Sequence, residues 1–165
     1  MEYRDTYDNW IAAKAKGEEA ETTYSTQFPA FLNVSQDPRY WPFDIDFVFR
    51  YDWRITAELK HDITAAKSGR IYLEWTQYKP SHNGQGCIQY SKATYLCVAV
   101  PFKRFPQLYV FKLDDIRRLC RENKLKKDWT QYGSCYWLPI NEIKTLGIDY
   151  RQYPFNGNPH YFEIF

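Results

Sequence analysis

The stretch that decides the fold is residues 42–75, which read PFDIDFVFRYDWRITAELKHDITAAKSGRIYLEW. Val, Ile, Phe, Tyr and Trp are dense in it, and apolar residues alternate with polar ones, a pattern typical of β-strands. We predict three strands, over residues 44–49, 55–62 and 70–75, with a chain reversal at residues 49–54. Antiparallel pairing of the first two would bring an acid of the first strand to Glu58 and Lys60 of the second.

The charged residues of these strands are placed on shared faces. Strand side chains repeat every second residue, so Asp44 and Asp46 share one face and Glu58 and Lys60 share another. Carboxylates held close together repel and lose hydration, and a bound cation would offset both costs. Magnesium and manganese prefer such oxygen ligands, and a neighbouring lysine can orient or deprotonate a water. A sheet with one solvated face is the alternative interpretation.

The spacing of Asp46, Glu58 and Lys60 gives the pattern D…E-x-K, which resembles the signature of the PD-(D/E)XK nuclease superfamily. The run that begins at Glu58, ELKHDITAAKSGRIYLEW, is similar to a phage-type branch of that superfamily. In that branch E-x-K is followed by Asp, a small-residue link, Gly and a second hydrophobic strand ending in Glu. Residues 86–100, GCIQYSKATYLCVAV, resemble the same branch.

One departure concerns the Pro-Asp pair of the superfamily, which is absent here. Pro42 precedes Phe43 rather than an aspartate, so Asp44 and Asp46 both remain candidates for the metal-binding aspartate.

The resemblance implies an α/β fold with a restriction-endonuclease-like core. Its elements would follow the order α-β-β-β-α-β, forming a mixed sheet flanked by helices, with strand–helix additions at the C-terminus. The sequence itself predicts a helix over residues 5–25, interrupted at Gly17, and a buried strand over residues 94–101. We expect a single nuclease-like domain over residues 1–165, because a chain of this length ordinarily forms one domain.

The resemblance also implies the activity of a metal-dependent endonuclease that hydrolyses DNA phosphodiester bonds. A virus or mobile element would encode it, for recombination, repair, genome processing or degradation of host DNA. The implied catalytic residues are Asp46, Glu58 and Lys60, with Lys60 orienting the attacking water. Mg²⁺, for which Mn²⁺ could substitute, would bind Asp46, Glu58 and the backbone carbonyl of Leu59, with Glu21, Asp44 and Glu74 as further candidates. The expected DNA-binding residues are Lys67, Arg70, Gln89, Lys92, Lys103 and Arg104.

Charge and composition leave several interpretations open. The net charge of +2 does not by itself indicate a nucleic-acid partner. The most basic segment, residues 117–127, could contact a DNA backbone or simply offset a helix dipole. Aromatic residues make up 19% of the chain, so tyrosines at the surface could stack on bases, anchor a partner or cover a thin core.

Partners and location are expected from what the sequence contains. We find no apolar run long enough to span a bilayer and no CxxC spacing, so no membrane and no zinc are expected. The default setting is the cytoplasm, that of the host cell if the protein is viral, with DNA as partner and a homodimer as one possible assembly. The alternative function is a catalytically inactive nuclease fold that acts as a nucleic-acid- or protein-binding module.

Overall fold

The computed structural model describes residues 2–78 and 81–158. The helices are α1 (Glu2–Gln27), α2 (Ile63–Ser68), α3 (Cys87–Tyr90) and α4 (Leu113–Arg121). The strands are β1 (Phe31–Asn33), β2 (Phe47–Phe49), β3 (Thr56–His61), β4 (Arg70–Glu74), β5 (Tyr95–Val100), β6 (Gln107–Lys112), β7 (Lys126–Thr130), β8 (Gly133–Pro139) and β9 (Tyr150–Pro154). Short 3₁₀ helices cover Trp41–Phe43, Ser81–Gly84 and Ile140–Thr145. Over these two ranges, no helix is both long and apolar enough to cross a lipid bilayer.

The strands form two sheets. The large sheet has the order β1-β2-β3-β5-β6-β9, in which β3 and β5 are parallel and all other neighbours are antiparallel. The small sheet has the order β4-β8-β7 and is antiparallel throughout. The fold is therefore mixed α/β, with a mixed sheet flanked by helices, as the sequence predicted.

Two apolar clusters hold these layers together. On one face of the large sheet, Tyr24 of α1 and Phe28, the residue that follows this helix, pack in one cluster with Phe31 and Phe47. On the other face, β5 and β6 pack against α3, α4 and the inner side of the small sheet. The strand β5 is buried along its whole length, as its continuous apolar sequence predicted.

The order α-β-β-β-α-β is present, but two of its strands differ from the prediction. The segment 70–75 does form a strand, β4, yet β4 pairs with β8 in the small sheet and not with β3. The strand that completes this order in the large sheet is β1, for which the sequence predicted no strand. Alternation identifies the buried face of a strand but not its partner, which explains the error for β4. Strand β1, with three residues, is too short to show alternation.

Several element boundaries also differ from the prediction. The first strand begins at Phe47 rather than residue 44, because Asp44 adopts a left-handed conformation with φ of 52°. Helix α1 continues through Gly17 without interruption. The basic segment is divided between α4 and β7, and Asp114 lies in the first turn of α4. Residues 150–154, for which the sequence predicted no element, form β9 and pair with β6.

We predict that Gly86→Ala destabilises the protein by about 1–3 kcal/mol, as expected for overpacking. A Cβ at this position would lie 2.5 Å from the carbonyl oxygen of Glu74, where backbone meets backbone. The matched control is Gly17→Ala in α1, where an added Cβ would meet no atom within 4 Å. Because alanine is the better helix former, the control should gain roughly 0.5–1 kcal/mol. Urea unfolding measures both changes, and equal stability of the two variants would contradict the close approach.

Candidate active site

The site is built on β3, a central strand of the large sheet. Ala57 and Leu59 point to the face covered by α1, whereas Glu58 and Lys60 point to the opposite face, where the small sheet packs. The alternation predicted for this strand is therefore confirmed. Glu58 is only 3% exposed, while the side chain of Lys60 is 38% exposed and reaches the surface.

Asp46 joins this strand through a backbone hydrogen bond. Just before β2, the Asp46 amide donates a hydrogen bond to the carbonyl of Ala57 in β3. The Asp46 carboxylate makes a second hydrogen bond to the same strand. Its Oδ2 accepts the Leu59 N–H at 2.8 Å. Since the N–H and C=O of a strand residue point to the same edge, the Leu59 carbonyl lies on the Asp46 side of β3. Asp46, Glu58 and this carbonyl are thereby brought together.

The charges of the site strongly perturb one another. Burial raises the pKa of Glu58 well above its ordinary value, and the neighbouring carboxylates Asp46 and Asp44 raise it further, while Lys60 opposes them. Burial lowers the pKa of Lys60, but the ion pair with Glu58 and the nearby acidic groups, Asp44 among them, together raise it well above its ordinary value. Burial also raises the pKa of Asp46, against the Leu59 hydrogen bond and the charge of Lys60. These carboxyl groups hold protons more firmly than ordinary acids.

Two buried carboxylate oxygens in the described part of the chain have no hydrogen-bond partner. They are Oε2 of Glu58 and Oδ2 of Asp44. Asp44 ends the 3₁₀ helix Trp41–Phe43, and its carbonyl accepts the hydroxyl of Ser91 at 2.9 Å. Buried polar atoms are almost always paired, so two unpaired oxygens at one site indicate room for an additional donor or a cation.

Asp62 has a different role from the other acids of this strand. One of its carboxylate oxygens accepts the Ala65 N–H at 2.9 Å and caps α2, and the other accepts the Tyr72 N–H at 2.8 Å. Both oxygens are therefore used to fix α2 and β4 next to the end of β3. The small sheet is attached to the site by this residue.

A groove of about 380 Å³ opens beside Lys60, between the large sheet and β4. Leu96, Val98 and Ile88 form its apolar part, and Glu74 lies across it. Glu74 also accepts the N–H of Cys87 at 3.4 Å, which places α3 at the rim. The groove gives Lys60 access from outside while Glu58 stays buried behind it.

The other residues predicted for the site differ in their contacts and exposure. Glu21 is close enough to Asp46 to raise its pKa, and it accepts the hydroxyl of Ser35 at 2.6 Å. Gln89 donates its amide to the carbonyl of Trp75, which gives it a structural contact at the base of α3. The remaining residues expected to bind DNA are exposed: Lys67, Arg70, Lys92, Lys103 and Arg104.

The basic segment 117–127 does not form one patch. Arg117 is only 14% exposed, since its guanidinium donates to the carbonyls of Ile88 and Ser91 and clamps α3 onto α4. Arg118 pairs with Asp115 on its own helix. Lys124 and Lys126, in contrast, are exposed and line a cavity of about 620 Å³ with Arg70.

Three residues of the site were missed in the sequence. Tyr72 and Cys87 line the groove, and burial raises the pKa of Tyr90, with a further contribution from Asp44. The position of Tyr72 within the E-x-K…Glu run could have suggested it. The sequence contains no such signal for Cys87 and Tyr90, because their approach to the site depends on how α3 packs against Glu74.

The donor set fits a hard divalent cation. Asp46, Glu58 and the Leu59 carbonyl offer oxygen atoms, and Mg²⁺ in proteins commonly uses one or two carboxylates together with water. Within the described residues no three His, Cys, Asp or Glu side chains form a compact metal-binding group. The unpaired Glu58 oxygen, next to Asp46, is the feature that supports the fit.

Comparison of this chain with protein-family models, with curated proteins and with solved structures found no match.

We predict a distinctive pH dependence of stability for the metal-free protein. An unfolded glutamate ionises near its ordinary pKa of 4.5, whereas Glu58 in the folded state keeps its proton to higher pH. The folded state therefore binds more protons between these two pKa values, and the free energy of unfolding falls as pH rises through this interval. Glu58→Gln should flatten the decline that begins as pH rises above about 4.5.

The control for this experiment is Glu18→Gln on α1, an exposed carboxylate. Urea unfolding in chelator across the pH series should give the wild-type slope for this variant. A wild-type slope for Glu58→Gln as well would contradict the raised pKa of the buried carboxyl.

Proposed function

We propose that this protein is a metal-dependent nuclease that hydrolyses phosphodiester bonds in DNA, of the PD-(D/E)XK type that its sequence resembles. The observation that carries the proposal is the buried carboxylate of Glu58, which is ion-paired to Lys60 and leaves one oxygen unpaired beside Asp46. A protein does not gain stability from such an arrangement, because a buried charge must be desolvated and is only partly compensated. Sites that break packing rules in this way are typically functional.

The roles of the residues follow from their positions. Asp46 and Glu58, with the Leu59 carbonyl, would hold Mg²⁺, and Asp44, Glu21 and Glu74 are the candidates for holding its water ligands. When bound, the ion would lower the pKa of a water and neutralise charge on the phosphate. Lys60 lines the groove and its ammonium group is paired with Glu58, so it could orient the attacking water and stabilise the developing negative charge.

The binding partner in this proposal is DNA, and the activity would take place in the cytoplasm of a host cell if the source is a virus or mobile element. Exposed cations near the groove, Lys67 and Lys92 among them, would contact phosphates, which positions DNA without reading its sequence. A cut through both strands requires two active sites or two binding events, so a homodimer on DNA is part of the proposal.

We predict that the wild-type protein cuts plasmid and short duplex DNA with Mg²⁺ or Mn²⁺ and not with chelator. Lys60→Ala and Asp46→Asn should each lower the rate by roughly two to four orders of magnitude, the range expected for loss of a positioned catalytic group. Gel assays of cleavage measure the rates, and circular dichroism confirms folding. Lys144→Ala, at an exposed lysine after β8, is the matched control and should cut as the wild type does.

Asp44→Asn distinguishes the two aspartates. A loss as large as that of Asp46→Asn would assign both to the metal, and a smaller loss would leave Asp44 in a supporting role. If linear, nicked and branched DNA all remain intact and Mg²⁺ does not bind, the nuclease proposal is wrong. The inactive binding module would then be the better account of this fold.

We predict that Mg²⁺ raises the melting temperature of the wild type at neutral pH, because an ion that binds only the folded state stabilises it. The ion also offsets the charge of Glu58. Since Asp46 and Glu58 must lose their protons to bind metal, the apparent affinity should fall as pH is lowered. Titration calorimetry measures the affinity. The double variant Asp46→Asn/Glu58→Gln should show no shift, and a shift equal to that of the wild type would place the ion elsewhere.

A further inference from the structure

The small sheet has an outer face, which we define as the side turned away from the apolar core. Its inner side carries Ile71, Leu73, Tyr136 and Leu138, all buried in the core. The alternating residues therefore lie on the outer face: Arg70, Tyr72 and Glu74 of β4, Cys135, Trp137 and Pro139 of β8, and Lys126, Asp128 and Thr130 of β7. Of these, Cys135 is fully buried.

The centre of the outer face is aromatic. Strand register aligns Tyr72, Trp137 and Lys126 in one row across the three strands. The rings of Tyr72 and Trp137 meet edge to face, with their centroids 5.5 Å apart. Both residues are only half-buried. Tyr132, in the turn between β7 and β8, adds a third ring that is 63% exposed.

The charges of the outer face are separated along the strands. Arg70 and Lys126 lie toward one end, where they share the 620 Å³ cavity with Lys124 and Trp137. Glu142 is the acid in that cavity. Glu74 and Asp128 lie toward the other end, where Cys135 of β8 is the cross-strand neighbour of both. A polyanion would therefore run along the end that carries Arg70, Lys124 and Lys126.

The outer face is continuous with the groove beside Lys60. A cavity of about 470 Å³ contains Trp137 and Tyr132 together with Thr64, Tyr72 and Glu74. The last three of these residues also line the 380 Å³ groove that contains Lys60. A chain of nucleotides with one phosphate at Lys60 could therefore continue over Tyr72 to Trp137 without leaving the surface.

We propose that the outer face of the small sheet binds a single-stranded segment of DNA, with bases stacked on Tyr72 and Trp137 and phosphates held by Arg70, Lys124 and Lys126. The choice of DNA rests on the proposed nuclease function. Aromatic rings that are at least partly accessible and lie next to cations are the combination that binds single strands, because every unpaired base offers a face for stacking. The bases of an intact duplex are stacked on each other and cannot use these rings. The preferred substrate therefore has a single-stranded arm next to the cleaved bond.

The test is binding of a fluorescein-labelled oligothymidylate, followed by fluorescence anisotropy in chelator so that no cleavage takes place. The wild type should bind it, and an unlabelled blunt duplex of equal length should compete poorly. Trp137→Ala should weaken binding on the order of tenfold, the effect of losing one stacked base. The matched control is Trp129→Ala, since Trp129 belongs to the same sheet, is 63% exposed and points to the opposite side, next to Lys127.

A second variant avoids any dependence on the folding of Trp137→Ala. Lys124 and Lys126 are exposed, and Lys124→Ala/Lys126→Ala should weaken binding and reduce the slope of log affinity against log salt by about 1.4, or roughly 0.7 for each lost phosphate contact. Absence of oligothymidylate binding by the wild type would overturn the proposal. So would equal effects of Trp137→Ala and Trp129→Ala, or equal competition by the blunt duplex.

Failure of this inference can be told apart from failure of the nuclease. Metal-dependent cutting that Trp137→Ala leaves unchanged on flapped and blunt DNA would keep the nuclease and overturn the binding face. Single-strand binding that depends on Trp137, without any cutting, would keep the binding face and overturn the nuclease.

Discussion

The burial of the Glu58 carboxylate is the constraint on which the rest of the structure depends. It lies in the middle of a central strand beside Leu96 of β5, at 3% exposure. An ionised carboxylate in such a place loses its hydration at a cost of several kcal/mol, and Lys60 returns only part of it. The remaining oxygen is left without a partner among the described residues. The chain must therefore stabilise this arrangement through packing elsewhere, which the two apolar clusters on either side of β3 provide.

The cover over Glu58 is fixed by side chains that bond to backbone. Asp62 uses both carboxylate oxygens to hold α2 and β4, Glu74 accepts from the start of α3, and Arg117 clamps the end of α3 onto α4. These contacts close the site on the side of α3 and leave an opening beside Lys60. Glu58 stays buried while Lys60 remains accessible because these contacts hold α2, α3 and β4 closely over the side of Glu58 that faces α3.

The sequence was most informative where a single strand decided the geometry. Alternation in residues 55–62 placed Glu58 and Lys60 on one face and Leu59 on the other, as the structure has them. The approach of an acid to Glu58 was predicted from antiparallel pairing of the first two strands, and β2 and β3 do pair in this way. The left-handed turn at Asp44 and the bond from the Leu59 amide to Asp46 were not predicted. Periodicity contains no information on such a turn.

What the sequence could not supply was the partner of each strand. Strand β1 has only three residues, too few to show a pattern, and it is recognised only by its register with β2. The alternating residues of β4 predicted a strand correctly, but β8, its partner, lies about sixty residues further along the chain. Pairing over such a distance is set by packing of the whole domain, which local sequence does not encode.

The position of the small sheet follows from the parallel pairing of β3 and β5. Parallel neighbours need a long crossover connection, and this one passes over the face of the large sheet that carries Glu58 and Lys60. Any strand inserted into the crossover must then lie next to the carboxylates, as β4 does. Because β4 buries Ile71 and Leu73 inward, its alternate residues Tyr72 and Glu74 necessarily face the groove and the surface beyond it. One insertion thus builds both a wall of the candidate active site and a surface that continues from it.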